Sequence, residues 1–401
     1  MDRVSPSETT ARLAVAERAN VPPFHVMDMI ARAAQRQREH GDALSLMAGQ
    51  PSTGAPRTVS EEAVRLLRSG DPLGYTPSVG IVELRTAIAD HHRRWHGIDV
   101  AVNDVVVTTG ASGGFLAAFL AAFDVGDRVA LARPTYACYR NVLVALGCEV
   151  VEIPTGPETR FQPSVEQLAE IPDLRGLVVA SPANPTGTML LPEELAALAS
   201  HCEANGIQLI SDEIYHGITY EPLDESSLRG RSAWETSREA LCFGSFSKYF
   251  SMTGWRIGWL LVPERLRRAV DVLVGNFTIC PPALAQAAAV KAFTPEAYAE
   301  LDGHVQRYAA NRRLLLDGLR DLGVTDLAPA DGAFYVYADV SRWTDDSMTW
   351  CHRVLDETGV AMAPGIDFDT VEGHRYVRLS FAGDAREVTG ALDRLSGVLG
   401  R

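Results

Sequence analysis

From about residue 60 the chain alternates short, β-branched apolar runs with longer stretches whose apolar positions recur every three to four residues. A short apolar run without polar alternation suits a strand buried on both faces, and its alternation with helical periods is the signature of βαβ units around a parallel sheet. The pattern predicts strands over 105–108, 128–132, 149–153, 176–180, 207–211, 240–246 and 257–261, with helices over 165–171 and 191–205 between them. This is an α/β layout, an open sheet flanked by helices, in which ligands sit beyond the carboxyl ends of the strands. Beyond about residue 294 the texture changes. A long polar-apolar helix is predicted over 296–322, followed by strands over 334–339 and 376–381, which read as a smaller α+β domain. The expected division is an N-terminal segment 1–57, a large domain 58–293 and a small domain 294–401.

Composition narrows the partners. A chain of 401 residues exceeds what one hydrophobic core supports, so more than one domain is expected. The net charge of −14 argues against a protein that works on nucleic acid or an anionic membrane surface. Cys138, Cys148, Cys202, Cys242, Cys280 and Cys351 show no CxxC pair, and read as reduced, mostly buried thiols. The N-terminus lacks the continuous apolar stretch of a secretory signal. The longest apolar run, 113–123, falls short of a membrane span, so a cytoplasmic protein is expected.

Four segments carry candidate chemistry. In VVVTTGASGG a strand is expected to end at Thr109 and a helix to begin within 112–114. Free N–H groups at a glycine-rich helix start suit a phosphate, although a plain strand-to-helix turn reads the same way. In SPANPTG, Asn184 precedes Pro185 and is held extended, which suits a side chain presented from a strand end as well as a structural turn. In SDEIYHG, Asp212 and Tyr215 leave a buried strand end. The aspartate could accept from a protonated ring nitrogen or cap the next turn. In FGSFSKYFSMTGWRIGW, Ser245, Lys248 and Arg256 interrupt an apolar, aromatic stretch. A lysine desolvated beside another cation has a lowered pKa and becomes a usable nucleophile, whereas a snorkelling surface lysine would not.

These four segments, in this order, resemble the class I/II aminotransferases of fold type I, from about residue 46 to 381. The SFSK stretch with Arg256 and the NPTG loop carry most of the likeness. The resemblance implies pyridoxal 5′-phosphate (PLP) as cofactor, held in the large domain. Lys248 would hold it as a Schiff base and move the substrate α-proton. Asp212 would keep the pyridine nitrogen protonated. Asn184 and Tyr215 would meet the ring oxygen. Ser245, Arg256 and the turn at Gly110, Ala111 and Ser112 would hold the phosphate, and Tyr136 would stack on the ring face. Arg378 would grip the substrate carboxylate, while Gly49 and Pro51, in the N-terminal segment, would line the substrate pocket. Tyr75, in GYTPSVGIVELR, would reach the phosphate of a neighbouring subunit, which implies a homodimer with shared active sites. The implied reaction is ping-pong transfer of an amino group from an L-amino acid to a 2-oxo acid such as 2-oxoglutarate or pyruvate.

The same fold and lysine also serve lyases, cyclising synthases and oxidases, and PLP-binding sensors that carry a DNA-binding domain ahead of the fold. Fewer than 50 residues precede Gly49, and the charge is acidic, which disfavours the sensor. Two departures stand out. Asp369 occupies a position where relatives commonly carry glycine, and no arginine lies within 274–286, where one dicarboxylate-specific subgroup has one. Finally, His92 and His96 in HHRRWH have helical i, i+4 spacing, but without a partner motif a solvated helix face is expected and no metal site.

Overall fold

The computed structural model describes residues 15–220 and 229–400. The strands are β1 (Leu44–Ser45), β2 (Val105–Thr108), β3 (Arg128–Arg133), β4 (Glu149–Pro154), β5 (Leu174–Ala180), β6 (Gln208–Asp212), β7 (Leu241–Ser245), β8 (Gly258–Leu261), β9 (Tyr335–Asp339), β10 (Val360–Ala361), β11 (Ala363–Pro364) and β12 (Tyr376–Ser380). The α-helices are α1 (His25–His40), α2 (Arg57–Ser69), α3 (Val82–His96), α4 (Gly110–Ala122), α5 (Ala137–Leu146), α6 (Val165–Ala169), α7 (Pro192–Ala204), α8 (Glu264–Thr278), α9 (Ala283–Ala289), α10 (Pro295–Asp321), α11 (Ser347–Thr358) and α12 (Ala385–Leu399).

Seven strands form the main sheet in the order β2-β8-β7-β6-β5-β3-β4, all parallel except β8, which runs antiparallel to both neighbours. The apolar runs follow from burial on both faces. Val105, Val107, Leu177, Val179, Leu209 and Leu261 point into one core, while Val106, Val178, Ile210, Phe243 and Leu260 point into the other. Alternate residues therefore enter different cores, and neither face needs polar positions. The predicted strands all appear, with ends that move by one or two residues.

The long helix expected after residue 294 is α10, started by Thr294, whose side chain accepts from Ala297 N, with Pro295 at the first helical position. Beyond it β11, β12 and β9 make a three-stranded antiparallel sheet, and β1 pairs in parallel with β10. The N-terminal residues thus join the later part of the chain in space. The six cysteines are free thiols, four of them buried. No helix among the described residues is long and apolar enough to cross a membrane.

Candidate active site

The carboxyl ends of β5, β6 and β7, the start of α4, the loop after β7, helix α1 and strand β12 line one cavity of about 650 Å³. Its position follows from the parallel sheet, whose strands open towards one edge. Ala111, Ser112, Tyr136, Asn184, Asp212, Tyr215, Ser245, Lys248, Arg256, Gly49 and Arg378 all line it. Gly110 lies immediately beside it, and Tyr75 lies outside it, 85 % exposed.

Helix α4 begins two residues earlier than the sequence suggested, at Gly110, and β2 ends at Thr108. The cause is Gly110 itself. Its φ of +72° turns the chain within one residue, and a Cβ there would stand 2.5 Å from Arg256 Nη2. The guanidinium therefore rests against bare backbone at the helix start, beside Ser245, Ser247 and Thr253. Arg256 Nη1 donates to Thr253 O at 2.9 Å, and Ser245 Oγ accepts from Ser247 N at 3.0 Å. A helix start with N–H groups, hydroxyls and an arginine is an anion-binding end.

The other end is a buried carboxylate. Asp212 accepts from the Tyr139 hydroxyl in a short hydrogen bond and from Ile214 N at 3.2 Å, so it caps its turn and still lines the cavity. Burial pushes its carboxyl up to about 6, against the pull of Tyr139, Ile214 N and Lys248. Lys248 Nζ donates to Gly49 O at 2.6 Å. Burial brings its amine down to about 8, Arg378 and then Arg256 add to the effect, and Asp212 opposes it. The sequence pointed to Arg256 as the neighbouring cation, but Arg378 weighs more. Tyr215 Oη shares a 2.8 Å hydrogen bond with Tyr335 Oη, and burial holds its phenol well above the ordinary value.

Arg378 is 2 % exposed, which rules out a surface strand arginine. Its guanidinium lies 4.4 Å from the centre of the Tyr335 ring and 4.8 Å from that of Phe368. It donates from Nη1 to Asn184 Oδ1 and from Nη2 to Met47 O, both at 2.9 Å, while Nε is buried without a partner. Tyr136 stands at the start of α5 with its ring edge-on to Phe24 and Tyr139.

Sequence reasoning missed Tyr139, Tyr335 and the wall of α1. Tyr139 follows Tyr136 by one helical turn in TYACY, a spacing that puts both rings on one face. Phe24, Val26, Met27 and Ile30 recur at helical spacing and line the cavity, a pattern legible as an amphipathic helix but not as a pocket wall.

The departure at Asp369 is a capped turn. Its carboxylate is buried, accepts from Val371 N at 2.8 Å and Glu372 N at 2.9 Å, and lies 3.5 Å from Arg133 Nε.

The histidine stretch on α3 is not a solvated face. His91 and His92 are buried, and the His96 side chain is 1 % exposed. Trp259 donates to His92 Nε2 at 3.1 Å, Tyr298 Oη shares a 2.7 Å hydrogen bond with His91 Nδ1, and His216 lies against His96. No group of three or more metal-ligating side chains is positioned to hold a metal among the described residues. Burial pulls the His96 imidazole down to about 4, so the unfolded chain takes up a proton below about pH 6.5 that the folded one refuses. Its contribution makes stability fall as pH drops through that window. Glu213, pushed up to about 7 by burial, acts in the opposite sense over part of it. His96→Gln should therefore lose about 2 kcal/mol less stability than the unsubstituted protein between pH 6.5 and 5, by urea denaturation of the cofactor-free protein.

The fold and cavity define a class. The model of the aminotransferase class I and II family matches residues 41–395, and the chain belongs to that family. It is an α/β transferase that uses PLP and moves an amino group between an amino acid and a 2-oxo acid. It is 62% identical over 386 residues to the valine–pyruvate aminotransferase of Mycobacterium tuberculosis, covering 96% of this chain and 98% of that one. A crystal structure of an aminotransferase from Mycobacterium tuberculosis superposes with a TM-score of 0.94 at 61% identity, over 97% of this chain and 100% of that one. The Thermus thermophilus aspartate aminotransferase with maleate gives a TM-score of 0.90 at 33% identity, over 96% and 100%.

Proposed function

We propose that the chain transfers the amino group of an L-amino acid with an apolar side chain, valine being the model donor, to pyruvate. One observation carries this reading. Lys248, Arg256 and Arg378 are the only cations among the described residues lining the cavity, and α1 with its preceding residue adds Phe24, Val26, Met27 and Ile30 to the lining. If Arg256 meets the cofactor phosphate and Arg378 the α-carboxylate, no cation remains for a second carboxylate. A distal carboxylate would then lie unpaired against apolar surface. The absence of an arginine within 274–286 points the same way, as does the name of the 62% identical relative.

The donor set suits PLP at both ends: an anion-binding helix start next to a glycine where a Cβ would collide, and a buried carboxylate for a ring nitrogen. PLP, when bound, supplies an electron sink for the carbanion formed at the substrate α-carbon. In this reading Lys248 would hold it covalently, and its free amine would take and return the substrate α-proton. A value near 8 lets the amine exist in both forms close to neutrality. Asp212 holds the proton on the ring nitrogen, and Tyr139 steadies that carboxylate. Tyr215 and Asn184 hold the ring oxygen, and Tyr136 covers the ring face. Gly110, Ala111, Ser112, Ser245 and Arg256 hold the phosphate. Arg378 orients the donor so that its α-proton faces Lys248, and Gly49 borders the same pocket.

We place the chain in the cytoplasm as a homodimer, with residues 58–293 as the cofactor-binding domain and 294–401 as the small domain. Ser78 Oγ donates to Asp271 in the middle of α8 at 2.5 Å and Ser78 also faces Gly275, so the segment with exposed Tyr75 runs along the later half of α8, beyond which Phe277 and Ile279 are also exposed. A second copy would cover this apolar strip and receive Tyr75 at its own phosphate site.

A donor and acceptor panel tests the substrate reading. Valine with pyruvate should exceed aspartate with pyruvate, and valine with 2-oxoglutarate, by at least about tenfold in kcat/KM, the ratio set by roughly 1.4 kcal/mol of unpaired charge. Aspartate equal to valine would overturn it.

A further inference from the structure

Helix α1 supplies the apolar wall, yet Phe24 at its start makes no side-chain cap. The cap comes from the far end of the chain. Asp367 Oδ1 accepts from His25 N at 2.8 Å and its Oδ2 accepts from Val26 N at 2.6 Å, across 342 and 341 residues of sequence. Asp367 is 2 % exposed and ends the short turn Gly365–Asp367. That turn cannot slide freely. A Cβ on Gly365 would stand 2.5 Å from Gly373 O, so two backbones meet there without room to spare.

The next residue ties the turn to the rest of the site. The Phe368 ring lies under the Arg378 guanidinium, and Phe368 O accepts from Thr135 N, next to Tyr136, at 2.9 Å. One turn therefore joins the start of the apolar wall, the residue placed at the substrate carboxylate and the residue placed at the ring face. Near the site it is this carboxylate that fixes the first turn of α1, because both of its oxygens are taken by that helix start.

We infer that Asp367 is a specificity-determining positioning residue: by capping α1 from the far side of the site, it sets how closely Phe24, Val26, Met27 and Ile30 approach the donor side chain. This rests on the reading of the pocket as one for apolar donors. A donor gains about fourfold in binding for each buried methylene-sized group, so valine, with two more carbons than alanine, depends more on a wall held at contact distance. Loosening the cap should affect valine and spare alanine.

The test compares kcat and KM for valine and alanine in the unsubstituted holoenzyme and in three variants, with 2-oxobutanoate as acceptor so that neither donor is regenerated from the acceptor. Asp367→Ala removes both acceptors, and Asp367→Asn leaves one. His25→Pro removes one donor at the first helical position, where proline is tolerated. For Asp367→Ala the valine-to-alanine ratio of kcat/KM should drop about five- to fifteenfold through the KM of valine, with the cofactor absorbance unchanged and alanine within about threefold. Asp367→Asn and His25→Pro should fall in between, and they decide the matter if Asp367→Ala does not fold. Equal losses for both donors, or an unchanged ratio in soluble variants, overturn the role of Asp367. An unsubstituted enzyme that prefers aspartate to valine instead overturns the reading of the pocket on which it rests.

Discussion

Lys248→Ala protein is expected to lose at least about four orders of magnitude in kcat with every donor, while folding and retaining its fold-dependent cysteine burial. The size follows from removing the group assigned to proton transfer, worth roughly 10²–10⁴ by itself, together with the covalent hold on the cofactor. Lys248→Arg separates charge from chemistry. It keeps a cation between Asp212 and Arg378, but a guanidinium stays protonated and offers no free amine, so it should be as inactive as alanine. Borohydride reduction of the unsubstituted holoenzyme followed by peptide mapping should place one pyridoxyl group on Lys248, and none in either variant. A label on another residue, or activity within tenfold of the unsubstituted enzyme, would sink the assignment. The amine is pulled down to about 8 by burial and two arginines, a state a solvated lysine does not reach.

How far sequence alone reaches depends on whether a feature is local. The strands were legible because a strand buried on both faces is apolar through its middle, as 129–132 of β3, 176–180 of β5 and 209–210 of β6 are. Asp212 was legible because it ends such a run, and Asn184 and Lys248 because they follow the ends of β5 and β7 within four residues. The start of α4 was misplaced because the glycine that shortens the turn answers to Arg256, more than a hundred residues away. The histidines of α3 were misread for a similar reason. Their i, i+4 spacing looks like a polar face until Trp259 and Tyr298 arrive from later segments to bury and bond them. Tyr139 with Asp212 and Asp367 with α1 are pairings of the same kind, in which neither residue's neighbours in sequence announce the partner.

Arg378→Ala should produce the second large loss, and its form distinguishes binding from chemistry. The guanidinium is buried between Tyr335 and Phe368, already donates to Asn184 and Met47, and has Nε left over. Truncating one partner of a desolvated charge pair costs about 2–5 kcal/mol, so kcat/KM for amino acids should fall roughly 30- to 4000-fold. Most of this should appear in KM. A primary amine lacking the carboxylate should react at the same low rate in variant and unsubstituted enzyme, since it never used the arginine. Arg378→Lys keeps the charge without the planar fork and should recover only part of the loss. The same substitutions carry a pH signature. Arg378 is the larger of the two cations that disfavour protonated Lys248, so removing it stabilises the ammonium form and raises the pKa from about 8. Capture of PLP by cofactor-free protein needs the neutral amine, and its rising limb should therefore move to higher pH in Arg378→Ala and stay in place in Arg378→Lys. An unmoved limb would mean that the two cations are not coupled. An unchanged KM for amino acids would mean that another group holds the carboxylate.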